Sequence, residues 1–223
     1  MKGRVAEIFE SVQGEGLYFG EKQLFIRFFG CNLECVFCDT KLEQFTEYQP
    51  KDLFKRLDSY RGDYHSVAFT GGEPLMQKDF LRRILRFTSS QGQINYLETN
   101  GTLYRELEDV IKYVDIIAMD LKLPSSTLSW GCWKAHTKFL EIASKKDTFI
   151  KCVITQSTTA ADIKRVAALI KEINQYPVVV LQPNSFEQSL QVKHKIKKFK
   201  KILENDGITC CAIPQLHKIW EVR

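Results

Sequence analysis

Short apolar runs alternate with amphipathic stretches along this chain about every thirty residues, and that alternation restricts the fold more than any other feature of the sequence. Strand-like runs at Leu24 to Phe29, Val67 to Phe69, Ile94 to Leu97, Ile116 to Met119, Phe149 to Ile154, Val178 to Leu181 and Thr209 to Ile213 are separated by helical patterns. Those patterns fall at Pro50 to Arg61, Asp79 to Ser89, Tyr104 to Tyr113, Thr137 to Lys145, Thr159 to Asn174 and Phe186 to Asn205. Arg4 to Phe9 alternates weakly, as a further short strand. A strand, helix, strand repeat pairs its strands in parallel and covers the sheet with helices. About six such units fall short of the eight units and ~250 residues of a closed barrel, so the fold class is α/β, an open partial (β/α)6-type barrel or a doubly wound sheet. No linker or repeat divides the chain, which reads as one domain over 1–223: an extension over 1–23, a core over 24–184, and a C-terminal helix, strand and tail over 185–223.

In either architecture ligands meet the carboxyl ends of the strands, and the unusual residues fall there. The first core strand runs into Cys31-Asn32-Leu33-Glu34-Cys35-Val36-Phe37-Cys38-Asp39-Thr40, which places three thiols within eight residues. Soft thiolates hold iron-sulfur units, and three ligands for a four-iron cluster leave one iron open to a small molecule. A zinc knuckle or a disulfide pair is the alternative, but for zinc none of His65, His136, His194 or His217 stands near this loop in sequence. The second strand leads into Thr70-Gly71-Gly72-Glu73-Pro74, the third into Glu98-Thr99-Asn100-Gly101, the fourth into Asp120-Leu121-Lys122 and the sixth into Gln182-Pro183-Asn184. Arg27 interrupts an apolar strand and needs an anionic or planar partner, either an internal carboxylate or a substrate group.

The remaining composition sets limits. Six of the lysines behind the net charge of +5 lie between Lys193 and Lys201, where Val192, Ile196, Phe199 and Leu203 recur at helical spacing. That is a surface helix with one buried stripe and a solvated face, without the arginines and aromatics of a nucleic-acid patch. The seven cysteines, odd in number and partly clustered, fit a reducing compartment, with Cys132, Cys152, Cys210 and Cys211 as small buried side chains. No apolar run approaches ~18 residues and the first residues have no apolar h-region, so a cytoplasmic chain with no membrane partner is expected.

The spacing Cys-x3-Cys-x2-Cys, with Phe37 before the last cysteine, resembles the radical S-adenosylmethionine (radical SAM) enzymes. The resemblance implies a 4Fe-4S cluster on Cys31, Cys35 and Cys38, SAM on the open iron, and a 5'-deoxyadenosyl radical as oxidant. It further implies SAM contacts from Phe37, Cys38, Asp39, Gly71, Gly72, Glu73, Asp120, Lys122, Gln182 and Asn184. Many members have Ser-Pro-Lys where this chain has Asp120-Leu121-Lys122. A narrower resemblance, to the 7-carboxy-7-deazaguanine synthases, covers nearly the whole chain. It is carried by Ser11-Val12-Gln13-Gly14-Glu15-Gly16, Phe25-Ile26-Arg27, Cys38-Asp39-Thr40, Glu98-Thr99-Asn100-Gly101, Gln182-Pro183 and Ile213-Pro214-Gln215-Leu216-His217-Lys218.

That family's reaction converts 6-carboxy-5,6,7,8-tetrahydropterin to 7-carboxy-7-deazaguanine with loss of ammonia, in queuosine biosynthesis. The resemblance implies magnesium at Thr40 and substrate contacts from Val12, Gln13, Gly14, Glu15, Arg27, Thr70, Gln215 and His217. It also implies a flavodoxin or ferredoxin as electron donor and a homodimer. The rival readings are an activase for a glycyl-radical enzyme, which needs neither the Gln-Gly-Glu-Gly loop nor Arg27, and a non-enzymatic iron-sulfur protein with every metal position closed. The segment Pro124 to Trp133, with Trp130 and Trp133, reads as surface packing, a cover for the site or a dimer contact.

Overall fold

The computed structural model describes residues 2–40, 42–60, 62–187, 189–220 and 222. Seven parallel strands carry the fold: β2 (Lys22–Phe28), β4 (Ser66–Gly71), β5 (Asn95–Thr99), β6 (Ile116–Asp120), β7 (Asp147–Ile154), β8 (Val179–Pro183) and β9 (Cys210–Ala212). Two antiparallel neighbours extend the sheet, β1 (Gly3–Val12) against β2 and β3 (Thr46–Tyr48) against β1. The order is β3-β1-β2-β4-β5-β6-β7-β8-β9, so among the described residues β3 and β9 are the two edges and the sheet stays open, as a partial barrel.

The helices α1 (Pro50–Asp58), α2 (Lys78–Ser90), α3 (Tyr104–Val110), α4 (Pro124–Thr127), α5 (Trp133–Ala143), α6 (Ala160–Ile173), α7 (Leu190–Asn205) and α8 (Leu216–Trp220) complete the chain. Their apolar stripes account for their placement. In α2 the buried positions Phe80, Leu81, Ile84, Leu85 and Thr88 recur at helical spacing on one side. In α7 Ser189 caps the first turn by accepting from the Val192 N–H at 3.2 Å, and Val192, Ile196, Phe199 and Leu203 form the buried stripe beneath the lysines. α5 starts at Trp133, four residues before the expected Thr137, because Trp133 and buried His136 continue the stripe of Phe139 and Leu140 backward. α1 ends at Asp58, and the expected end at Arg61 lies outside the described residues.

Alternation along the strands sends one set of side chains outward to the helices and the other inward. The inner set is Phe9, Phe25, Ala68, Tyr96, Ile116, Ala118, Phe149, Val180 and Ile213. β1 runs against β2, so residues 13–21 leave the sheet at its amino-terminal end and turn back into the barrel. Gln13 shows the path: its Nε2 donates to Gln23 at the start of β2 (3.0 Å) and to Glu98 near the end of β5 (2.7 Å). A Cβ on Gly16, at φ +68°, would stand 2.5 Å from the Phe149 ring, so this loop lies flat on the inner core. The tail closes on it from the other side, with Leu216 N donating to Gly14 O at 2.8 Å. Among the described residues no helix is long and apolar enough to cross a membrane.

Candidate active site

The carboxyl ends of the strands, the loop at 13–16 and the tail enclose one cavity of about 530 Å³. Its wall contains Val12, Gln13, Gly14, Glu15, Arg27, Cys31, Cys35, Phe37, Cys38, Asp39, Thr40, Thr70, Gly71, Gly72, Asp120, Lys122, Gln182, Asn184, Gln215 and His217. Every expected site residue except Glu73 is therefore in one place.

The cluster loop leaves β2 through Gly30, at φ +93°, and turns where Cys38 N donates to Cys35 O at 3.0 Å. Its three thiols are free and face the cavity. Burial pushes the Cys35 thiol up to about 11 and the Cys31 thiol in the same direction, while Lys122 pulls both down. Loading a metal cluster therefore displaces protons from these two thiols. This donor set fits an iron-sulfur cluster.

The loop after β4 is sewn to the cluster loop by Glu73 N donating to Gly30 O at 2.8 Å and Gly72 N donating to Phe28 O at 3.1 Å. A Cβ on Gly72 would meet Gly30 O at 2.1 Å, so only glycine lets the two backbones approach this closely. Glu73 itself turns away from the cavity. It is fully buried and accepts from Leu75 N (3.1 Å), Asn100 N (2.8 Å) and Thr99 Oγ1 (2.9 Å). Gly71 and Gly72 line the cavity, and the Glu73 carboxylate, expected to contact SAM, is held behind them by these donors.

Burial outweighs the donors around Glu73 and raises its carboxyl to about 7. A carboxyl raised in the folded state keeps its proton between its unfolded value near 4.5 and about 7, so stability falls as pH rises through that window, by up to about 3 kcal/mol. Urea unfolding of wild type and Glu73→Gln from about pH 5 to about pH 8 should show the wild type losing stability relative to the variant. A pH-independent difference would mean that Glu73 titrates as an ordinary glutamate.

Arg27 has the internal carboxylate that was one of its expected partners, and it also borders the cavity. Its Nε lies 3.1 Å from Glu7 Oε2, its NH1 donates to Thr40 Oγ1 at 3.4 Å, and the guanidinium faces both the Phe9 ring and the cavity. Thr40 also donates to Asp39 Oδ1 at 3.3 Å, so its hydroxyl is held only by long bonds. Lys122 is 2.8 Å from Asp120 Oδ2 and lies over the Phe37 ring at 5.5 Å. Asp120 Oδ1 and Gln182 Oε1 are buried acceptors with no hydrogen-bond partner among the described residues, and both belong to residues of the cavity wall. They fit a ligand that brings its own donors, such as hydroxyls or an ammonium group.

The tail is tied down more firmly than its few apolar positions imply. Gln215 Nε2 donates to Glu15 Oε1 (2.6 Å) and Asp39 Oδ2 (3.0 Å), and Lys218 pairs with Asp39 Oδ2 at 2.8 Å. Glu15, Asp39 and His217 bring ligand atoms within 4.8 Å of one another. Lys151 and Lys218 pair with the two carboxylates, so this group fastens the tail to the loop.

Sequence reasoning named Glu98 and Lys218 within motifs but gave them no role, and it missed Lys151 and Phe186; all four are on the cavity wall. Lys151 carried a usable signal, a lone charge inside the apolar run Phe149 to Ile154, the pattern that singled out Arg27. Trp133 packs edge-on to His136 at 6.3 Å, while Trp130 is 96% exposed.

Comparison with known proteins agrees with this geometry. The profile of the Radical SAM superfamily matches residues 25–149. The 7-carboxy-7-deazaguanine synthase of Geobacter sulfurreducens is 38% identical over 200 residues, covering 79% of this chain and 80% of that protein. The synthase of the same name from Archaeoglobus fulgidus is 34% identical over 244 residues and covers both chains completely. The crystal structure of QueE from Escherichia coli shares the fold, with a TM-score of 0.68 at 20% identity over 95% of this chain and 94% of that one. The cofactor set is accordingly a 4Fe-4S cluster, SAM and Mg2+. A chain with these thiols, this glycine loop and these relatives belongs to the 7-carboxy-7-deazaguanine synthase family of radical SAM enzymes.

Proposed function

We propose that the cavity converts 6-carboxy-5,6,7,8-tetrahydropterin to 7-carboxy-7-deazaguanine with loss of ammonia, a carbon-nitrogen lyase step toward queuosine and related 7-deazapurines. The observation that carries this reading is convergence: the thiols, the glycine loop, Gln13 to Glu15, Arg27 and the tail surround one cavity of a size suited to small molecules. Bound together, the reduced cluster and SAM supply the radical that abstracts hydrogen. Cys31, Cys35 and Cys38 hold the cluster, and the backbone at Gly71 and Gly72, with Phe37, Asp39, Asp120, Lys122, Gln182 and Asn184, receives SAM. Arg27 takes the substrate carboxylate, while Val12, Gln13, Gly14, Glu15, Thr70, Gln215 and His217 fix the ring system. Positioning is the protein's main contribution, since ring contraction needs one reacting geometry. Cys31 and Cys38 are exposed on the cluster loop, which supports reduction by a small carrier such as flavodoxin or ferredoxin. A homodimer in the cytoplasm completes the reading.

Binding tests this assignment. Under argon, the protein loaded with cluster and SAM should bind the carboxytetrahydropterin, and Arg27→Met should weaken that affinity by about 2 kcal/mol, roughly 30-fold, with SAM affinity retained. Absence of binding to the loaded wild type would overturn the assignment, and equal affinity in Arg27→Met would leave Arg27 as the partner of Glu7 alone.

Magnesium gives a second test. Mg2+ takes hard oxygen ligands and keeps several waters, so one threonine hydroxyl serves if the substrate carboxylate completes the shell. The weakly held Thr40 hydroxyl beside Arg27 suits that role. Thr40→Val should keep cluster and SAM binding yet lower magnesium affinity at least about tenfold, and Thr40→Ser should restore it. Equal magnesium dependence in wild type and Thr40→Val would return Thr40 to a capping role.

A further inference from the structure

Lys151 is a buried cation on the inner face of β7, between Phe149 and Val153, with a role not yet assigned. Its ammonium contacts Glu15 Oε2 and lies 3.5 Å from Asp120 Oδ2, so it stands between the carboxylate of the substrate loop and the carboxylate on the SAM side. Asp120 has a second cation in Lys122 at 2.8 Å. Glu15 has neutral donors in Gln182 Nε2 (3.1 Å) and Gln215 Nε2 (2.6 Å), and its other cationic neighbour is His217, whose Nδ1 is 3.9 Å away. Losing Lys151 therefore leaves Asp120 compensated and Glu15 short of its principal countercharge.

We infer that Lys151 is a positioning residue of the substrate site, whose fixed charge keeps Glu15 ionised so that Glu15 can hold the 13–16 loop, Gln182 and Gln215 together. The inference rests on the proposed reading of the cavity as the pterin site. An ionised carboxylate accepts from all three partners at once, whereas a protonated one places its own O–H against an amide donor and releases it. Burial alone would push Glu15 upward, but Lys151, with help from Gln215 and His217, holds it at about 2. The charged groups facing this carboxylate are Lys151 from β7, His217 from α8, Asp39 from the cluster loop across the shared Gln215, and Asp120 and Glu98 from β6 and β5 around the ammonium. Three of these five are anions, and among the described residues no other lysine or arginine pairs with Glu15.

The test uses the full-length, cluster-loaded protein. Infrared difference spectra, with Glu15→Gln assigning the band, should show Glu15 ionised in the wild type down to about pH 4, and un-ionised at neutral pH in Lys151→Met or in the polar variant Lys151→Gln. The substrate affinity of these variants should fall at least about tenfold near pH 7 and recover as pH rises, while the wild type and Lys151→Arg stay flat. SAM affinity should change by less than about threefold, because Lys122 still pairs with Asp120. Comparison with Lys151→Arg at each pH removes any pH effect that the two proteins share. The inference is overturned if Glu15 protonates in the wild type like a free glutamate, a reading available even if no Lys151 variant folds. It is also overturned if it stays ionised in the folded neutral variants, or if SAM and substrate affinities fall together without pH dependence. A Glu15 band that behaves as stated in a protein that does not bind the carboxytetrahydropterin supports the role of Lys151 and refutes the substrate.

Discussion

Replacing any one of Cys31, Cys35 or Cys38 by alanine should abolish the cluster and with it all SAM cleavage. Each thiolate holds one iron, and Cys132, Cys152, Cys210 and Cys211 are absent from the cavity wall, so none stands ready as a substitute. Iron content per chain and the electron paramagnetic resonance of the dithionite-reduced protein measure the loss directly. Cys152→Ala is the informative control: Cys152 is fully buried on the helix side of β7, and its truncation should cost about 1 to 2 kcal/mol of packing while leaving the cluster intact. Equal loss of the cluster in Cys152→Ala and Cys31→Ala would break the three-thiolate assignment.

The second large effect is expected at Gly71, which pairs with Phe28 where β2 and β4 end together. Its φ is +134°, and a Cβ there would lie 2.1 Å from Phe28 O and 2.4 Å from Phe28 N. Both obstacles are backbone, so no rotamer change relieves them; the β2–β4 ladder must separate beside the cluster loop. Gly71→Ala should cost roughly 3 to 5 kcal/mol in urea unfolding and remove SAM binding. Gly20→Ala isolates the effect of backbone conformation, since Gly20 has φ +92° but nothing within 4 Å of the added Cβ. It should cost about 1 kcal/mol. Similar costs for the two variants would contradict the close approach on which the SAM pocket depends.

The contrast between these positions shows what was legible in the sequence. The parallel core could be read because its strands are buried on both faces and give continuous apolar runs. β3 was missed, since three residues, Thr46 to Tyr48, are too few to establish an alternation. The motifs at the strand ends located the cavity, because a parallel sheet gathers those ends on one rim. What local pattern cannot carry is direction in space. Glu73 stands beside two glycines in the sequence, and only the fold shows that Thr99 and Asn100, from the end of the next strand, hold its carboxylate. The Gln13 to Gly16 stretch could be tied to the substrate only by resemblance, and the antiparallel pairing of β1 shows its path, up through the barrel to meet Glu98. Lys151 was visible as a charge in an apolar run, yet its purpose depends on Glu15, 136 positions away.

The account is tested most directly by one anaerobic turnover experiment. The cluster-loaded protein, incubated with SAM, reductant, magnesium and 6-carboxy-5,6,7,8-tetrahydropterin, should release ammonia and a product with the mass of 7-carboxy-7-deazaguanine, and Cys31→Ala should release neither. Cleavage of SAM with the pterin recovered unchanged would contradict the account.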